Sequence, residues 1–139
     1  MKLRLSLIFT IFTTALLLSS CVVTSHEYKA EISCDEFNNN HHHKGEQEVE
    51  VGDKIRVELC SNPTTGFEWD YEMSIDNVLK EEDHDFEEPS GDVPGAAGKK
   101  VWTFEAVKTG TAEISMEYSQ PWEGGLKAEW TYIMTVTVK

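Results

Sequence analysis

Apolar and polar residues alternate with a period of two along most of this chain. Ile55, Val57 and Leu59 share one parity, as do Phe67, Trp69, Tyr71 and Met73. Trp102, Phe104 and Ala106 repeat the pattern, followed by Ala112, Ile114, Met116 and Tyr118, and then by Ala128, Trp130, Tyr132, Met134, Val136 and Val138. Such alternation marks strands with one buried face. It predicts strands over 28–34, 46–51, 54–61, 67–74, 78–82, 100–107, 111–118 and 128–138, with turns at Gly52-Asp53 and Thr109-Gly110. Asn38 to His43 reads as a polar loop. Asp83 to Lys100 reads as an irregular stretch, acidic at first and then rich in proline, glycine and alanine. No segment carries ten residues of helical periodicity. Seven or eight short strands at roughly ten-residue spacing predict an all-β protein, an antiparallel β-sandwich.

If the strands run alternately up and down, three connections emerge at one end: Asn62–Phe67, the Gly95–Gly98 region and Gln120–Gly125. The first, Asn62-Pro63-Thr64-Thr65-Gly66-Phe67, is stiff. Pro63 fixes its own φ and holds Asn62 extended, Gly66 supplies a positive φ, and two β-branched threonines have few rotamers to lose. By itself it reads as an ordinary interstrand turn or as a preformed, uncharged wedge that loses little entropy on docking into a groove. Gly95, Ala96, Ala97 and Gly98 offer backbone with almost no side chain, and lack the strand-to-helix setting of a phosphate loop. Gln120, Pro121 and Trp122 present an indole held by a proline, which is either an anchor for a protein contact or a lid folded over the end of the sandwich.

The N-terminus changes the picture of where the protein works. Lys2 and Arg4 precede a nearly wholly apolar run, Leu5 to Leu18, too short to span a bilayer comfortably and shaped like an export signal. Leu18-Ser19-Ser20-Cys21 resembles the lipobox of a bacterial lipoprotein. That resemblance implies a signal peptide over 1–20, acylation of Cys21, a lipidated tether over 21–26 and a domain over 27–139, held at the cell envelope by its lipid alone. Val22 after the cysteine leans toward the outer membrane or cell surface. Loss of residues 1–20 removes two of the 12 basic residues and none of the 25 acidic ones, leaving a net charge of −15. A surface of that sign repels nucleic acid and anionic headgroups. In an oxidising compartment the two remaining cysteines, Cys34 and Cys60, more often pair than stay free. Neither has the setting of a catalytic thiol.

No serine–histidine–acid set, metal-ligand cluster or nucleotide loop stands out, so the chain does not read as an enzyme and needs no cofactor. His41, His42 and His43 are adjacent, and alternation along an extended chain keeps all three from converging on one metal ion.

Taken in order, the three loop motifs resemble those of the chagasin family of cysteine-peptidase inhibitors. Asn62–Phe67 is similar to the family's first loop. Gly95 and Gly98, followed by Trp102, are similar to its glycine-rich second loop, and Gln120-Pro121-Trp122 to its third, where Arg-Pro-Trp is usual. The resemblance implies an immunoglobulin-like sandwich and a monomeric, reversible, competitive inhibitor of papain-like cysteine proteases. Residues 62–67 would enter the active-site cleft, with 95–100 and 120–125 clamping its walls. Gln120 in place of arginine removes any ionic contact made there. The alternative is a cell-envelope lipoprotein module that binds another protein or a glycan without inhibiting a protease.

Overall fold

The alternating residues form the facing surfaces of two four-stranded sheets. The computed structural model describes residues 24–139, so the signal sequence expected over 1–20 and Cys21 lie outside the described residues. In chain order come β1 (Glu27–Ile32), a short helix α1 (Cys34–Asn39), β2 (His42–Val49), β3 (Lys54–Ser61), a 3-10 turn (Pro63–Thr65), β4 (Glu68–Met73), β5 (Leu79–Glu87), β6 (Gly98–Ala106), β7 (Gly110–Ser119) and β8 (Trp130–Val138). One sheet has the order β1-β3-β6-β5 and the other β2-β8-β7-β4. The all-β sandwich expected from the alternation is therefore what the chain forms, with eight strands among the described residues.

The parity read from the sequence sets the core. Ile55, Val57, Leu59, Trp102, Phe104 and Ala106 are buried from one sheet, and Ile114, Met116, Tyr118, Met134 and Val136 from the other. Burying each large side chain is worth roughly 1.5–3 kcal/mol. Trp69 also turns inward, and its indole N–H donates to the Cys60 carbonyl at 2.8 Å.

Two pairings are parallel, β1 with β3 and β2 with β8, whereas the remaining four are antiparallel. The cause is local. After β1 the chain crosses to the other sheet through α1, so β1 and β2 never form a hairpin. Ser33-Cys34-Asp35-Glu36 starts the helix as a capping box: the Glu36 N–H donates to Ser33 Oγ at 3.3 Å, and the Ser33 N–H donates back to Glu36 Oε2 at 2.8 Å. Phe37 is fully buried and stacks on Trp130, with ring centroids 4.9 Å apart. A Cys34–Cys60 disulfide spans 26 residues and fastens the helix to β3.

Four sequence expectations need correction. Cys34 starts α1 instead of ending a strand, and Asn38 and Asn39 are helical. His42 and His43 begin β2, paired with Thr131 and Tyr132, so 38–43 is not a plain loop. β5 continues to Glu87 rather than stopping at Glu82. Its register against β6 slips between Glu81 and Asp83, which switches the parity mid-strand and hides the alternation. Bases opposite then support the acidic half, with Arg56 Nη2 2.6 Å from Glu87 Oε1. Ala128 precedes β8 and takes a left-handed φ of 50°.

Glu58, on the outer side of β3, is buried beneath Arg56, Lys29 and Lys99, whose nitrogens lie 2.8, 3.0 and 3.0 Å from its carboxylate. Burial alone would raise this carboxyl. Hydrogen bonds from Arg56, Lys29 and Lys99 override it and bring the pKa down to about 2.

Candidate functional site

Register places three connections at one end of the sandwich. Ser61 at the end of β3 pairs with Gly98 at the start of β6, and Glu68 at the start of β4 pairs with Ser119 at the end of β7. Residues 62–67, 88–97 and 120–129 therefore project from the same pole. β1 enters from the other one, since Glu27 pairs with Lys54 at the start of β3.

The first loop is built on Asn62. Its extended backbone caps the 3-10 turn, and its Oδ1 accepts from the Thr64 N–H at 3.2 Å and the Thr64 hydroxyl at 2.6 Å. Its carbonyl accepts from the Thr65 N–H at 3.1 Å and the Thr65 hydroxyl at 2.7 Å. Gly66 closes the turn at φ 79°, with its N–H donating to the Pro63 carbonyl at 3.2 Å. Underneath, the Asn62 N–H donates to the Tyr118 hydroxyl at 2.8 Å, and Phe67 stacks on the Tyr118 ring at 5.2 Å. Pro63, Thr64 and Thr65 are left exposed at the tip, while Phe67 is half-buried and supports them from below.

Both other loops touch the first. Asn62 Nδ2 donates to the Gly95 carbonyl at 2.9 Å. The indole of Trp122 lies over Gly66 so closely that a Cβ there would sit 2.6 Å from Trp122 Cη2. Trp122 is half exposed, at 50%. It is neither free in solvent nor folded into the core, but laid against the first loop with one face outward.

Within the second loop Gly95 is exposed at φ 76°, and Ala96 and Ala97 are half-buried. Gly98 is buried as the first residue of β6, where a Cβ would meet the Glu87 carbonyl oxygen at 2.2 Å. It is needed for close packing of β6 on β5 and does not front the surface. In the third loop Pro121 is exposed and Gln120 half-buried. The Gln120 side chain turns back across its own loop, its Oε1 accepting from the Leu126 N–H at 3.0 Å. Exposed Leu126 and Val93, together with Tyr118 and Lys127, belong to this end of the molecule and were not singled out in the sequence. Alternation marks Tyr118 only as a core residue, and nothing in the Gly124-Gly125-Leu126-Lys127 run marks Leu126 or Lys127.

Exposed hydroxyls, loop backbone and the Trp122 indole make up this surface, together with exposed Pro121, Val93 and Leu126 and the charged Asp92, Glu123 and Lys127. It is suited to shape-based, hydrogen-bonded contact with another macromolecule.

Residues 48–136, well over half of the chain, match the family described as Chagasin family peptidase inhibitor I42. The chain belongs to the chagasin family. The match begins late in β2, so β1, α1 and the Cys34 side of the disulfide precede it. Amoebiasin-2 of Entamoeba histolytica is 32% identical over 83 residues, covering 55% of this chain and 63% of that protein. The chain thus spans somewhat less than two thirds of that relative's length. Chagasin of Trypanosoma cruzi is 30% identical over 80 residues, covering 55% of this chain and 73% of its own length. By fold the chain is similar to the crystal structure of a cysteine protease inhibitor from Entamoeba histolytica, with a TM-score of 0.64 at 24% identity over 84% of this chain and 100% of that one. It is also similar to PbICP-C, solved in complex with falcipain-2, with a TM-score of 0.56 at 16% identity over 78% of this chain and 98% of that one.

Proposed function

We propose that this protein is a reversible, competitive inhibitor of papain-like cysteine proteases, acting through loops 62–67, 95–100 and 120–125. The observation that carries the reading is the joining of three loops through Asn62–Gly95 and Gly66–Trp122 in a chain of the chagasin family. A papain-like protease holds a thiolate–imidazolium pair at the bottom of a cleft. The Pro63–Thr65 turn is narrow, neutral and internally bonded, so it enters such a cleft with little ordering left to do. Loops 95–100 and 120–125 then meet the walls, with the outer face of Trp122 as the largest apolar contact.

The turn also accounts for survival in the cleft. The carbonyls of Asn62 and Pro63 accept bonds from within the loop, and the segment is wound into a 3-10 turn. A protease cleaves an extended peptide whose carbonyl faces its nucleophile and oxyanion donors. Here the wedge crosses the nucleophile without that geometry, and no covalent bond forms.

An export signal over 1–20 and a lipid on Cys21 complete the proposal, supported by the Leu18-Ser19-Ser20-Cys21 motif. Entry of β1 at the pole opposite the loops suits such an anchor, because the wedge then faces away from the membrane. A monomeric state is favoured by charge at two sheet edges: β5 presents Glu81, Glu82, Asp83, Asp85 and Glu87, and β4 presents Glu68, Asp70 and Glu72.

Titration of papain with Thr65→Ala and Trp122→Ala, with circular dichroism as a folding control, tests the assignment. Thr65→Ala is expected to weaken inhibition a few-fold and Trp122→Ala by more than tenfold. Full inhibition by a folded Trp122→Ala protein would remove the indole from the interface.

A further inference from the structure

In the third loop the family's usual arginine is replaced by Gln120, yet a cation stands in the same turn. Lys127 Nζ donates to the Gln120 carbonyl and, at 3.2 Å, to the Trp122 carbonyl. Gln120 binds the opposite limb twice: its N–H donates to the Leu126 carbonyl at 2.8 Å, and its Oε1 accepts from the Leu126 N–H at 3.0 Å. The Gly125 N–H donates to the Trp122 carbonyl at 3.1 Å. At the base, the N–H of Ala128, at its left-handed φ, donates to Ser119 Oγ at 2.8 Å.

We infer that Lys127 and Gln120 are positioning residues that hold Trp122 against Gly66 before any protease arrives. This rests on the inhibitory reading above. The chemistry is specific to the two side chains. The ammonium donates several bonds at once and can bridge two carbonyls of the ascending limb, fixing the peptide that carries the indole. Glutamine supplies an acceptor for the Leu126 N–H, which arginine, with donors only, cannot do. An arginine at position 120 would also set a second cation against Lys127, so the familiar residue is the wrong one for this loop. Preorganisation of this kind raises affinity by lowering the ordering required on binding.

The test combines Lys127→Met, Lys127→Arg and Gln120→Arg with two readouts. One is the papain inhibition constant. The other is the heteronuclear NOE of the Trp122 indole N–H in the free protein, its cross-peak assigned through its loss in Trp122→Phe. Lys127→Met is expected to lower the NOE of that indole and weaken inhibition about tenfold, Lys127→Arg to restore most of both, and Gln120→Arg to weaken inhibition instead of strengthening it. In a Trp122→Ala background, Lys127→Met should add little further loss, because its effect passes through the indole. An unchanged NOE with unchanged inhibition in Lys127→Met overturns the inference, as does a gain of inhibition in Gln120→Arg. If the parent protein fails to inhibit papain, the functional reading falls, and the NOE alone decides whether the two side chains position Trp122.

Discussion

At the scale of single residues, Asn62 is the node of the candidate site. Every polar group it owns is engaged: the backbone N–H with Tyr118, the carbonyl and Oδ1 with the two threonines, and Nδ2 with Gly95. The stiffness of Asn62–Phe67 was legible in the sequence, because proline and glycine have local conformational effects. Gly66 takes the positive φ expected of it. Its second role, giving Trp122 a flat seat, was not legible, since it depends on a residue 56 positions away. Tyr118 escaped in the same way, looking like a core aromatic while its hydroxyl reaches up to hold the loop. Gly66→Ala tests both roles together. The left-handed φ costs an alanine roughly 1–2 kcal/mol, and the new Cβ must push an exposed, movable indole aside. The protein is expected to fold with Tm lowered by several degrees, while inhibition of papain falls at least tenfold. Equal inhibition by Gly66→Ala and the parent would show that the seat is unimportant.

Strands with intact parity were readable at the scale of elements, and the elements that were missed had lost that signal. β5 lost it at its bulge, and the acidic sequence beyond reads as solvated loop until Arg56 and Lys99 are placed beside it. α1 spans only six residues, too few for periodicity, although the Ser33–Glu36 capping spacing was present in the chain. Its fastening predicts a measurable stability effect. Replacing Cys34 and Cys60 together by serine should cost about 3 kcal/mol in denaturant unfolding, the loop-closure value for a disulfide of this span. A loss near zero would mean that Phe37 packing alone holds the helix. Glu58 makes a second prediction. Its folded carboxyl sits at about 2, below the ordinary 4.5, so its stabilisation is complete above pH 4.5 and is lost as pH falls toward 2. The loss amounts to about 2 kcal/mol once the exposure of Lys29 and Lys99 is allowed for. Urea unfolding at pH 5 and pH 2.5 should show that slope in the parent and a flatter one in Glu58→Gln. Identical slopes would contradict it.

For the molecule as a whole, the sandwich gathers its three unusual connections at one pole and receives the chain at the other. Alternation alone suggested that gathering. The actual topology, with two parallel edge strands, reaches it by a different route, because β1 and β2 add to opposite sheets without disturbing the strands that carry the loops. Which loop atoms touch could not be read from the sequence, because those contacts span 33 to 56 residues and depend on the register of β3 with β6 and β4 with β7. With 12 basic residues against 25 acidic ones, a net charge of −13, the chain carries a negative field that repels nucleic acid and anionic surfaces. The central claim is that this assembled pole fills a papain-like active-site cleft without being cut. It is tested most directly by titrating active papain with the disulfide-oxidised protein, following substrate turnover and then recovery on dilution. The account predicts a raised KM with unchanged kcat, activity that returns on dilution, and inhibitor intact by mass spectrometry. Undiminished papain activity beside a folded protein, or cleavage within residues 62–67 at the pace of a substrate, would contradict it.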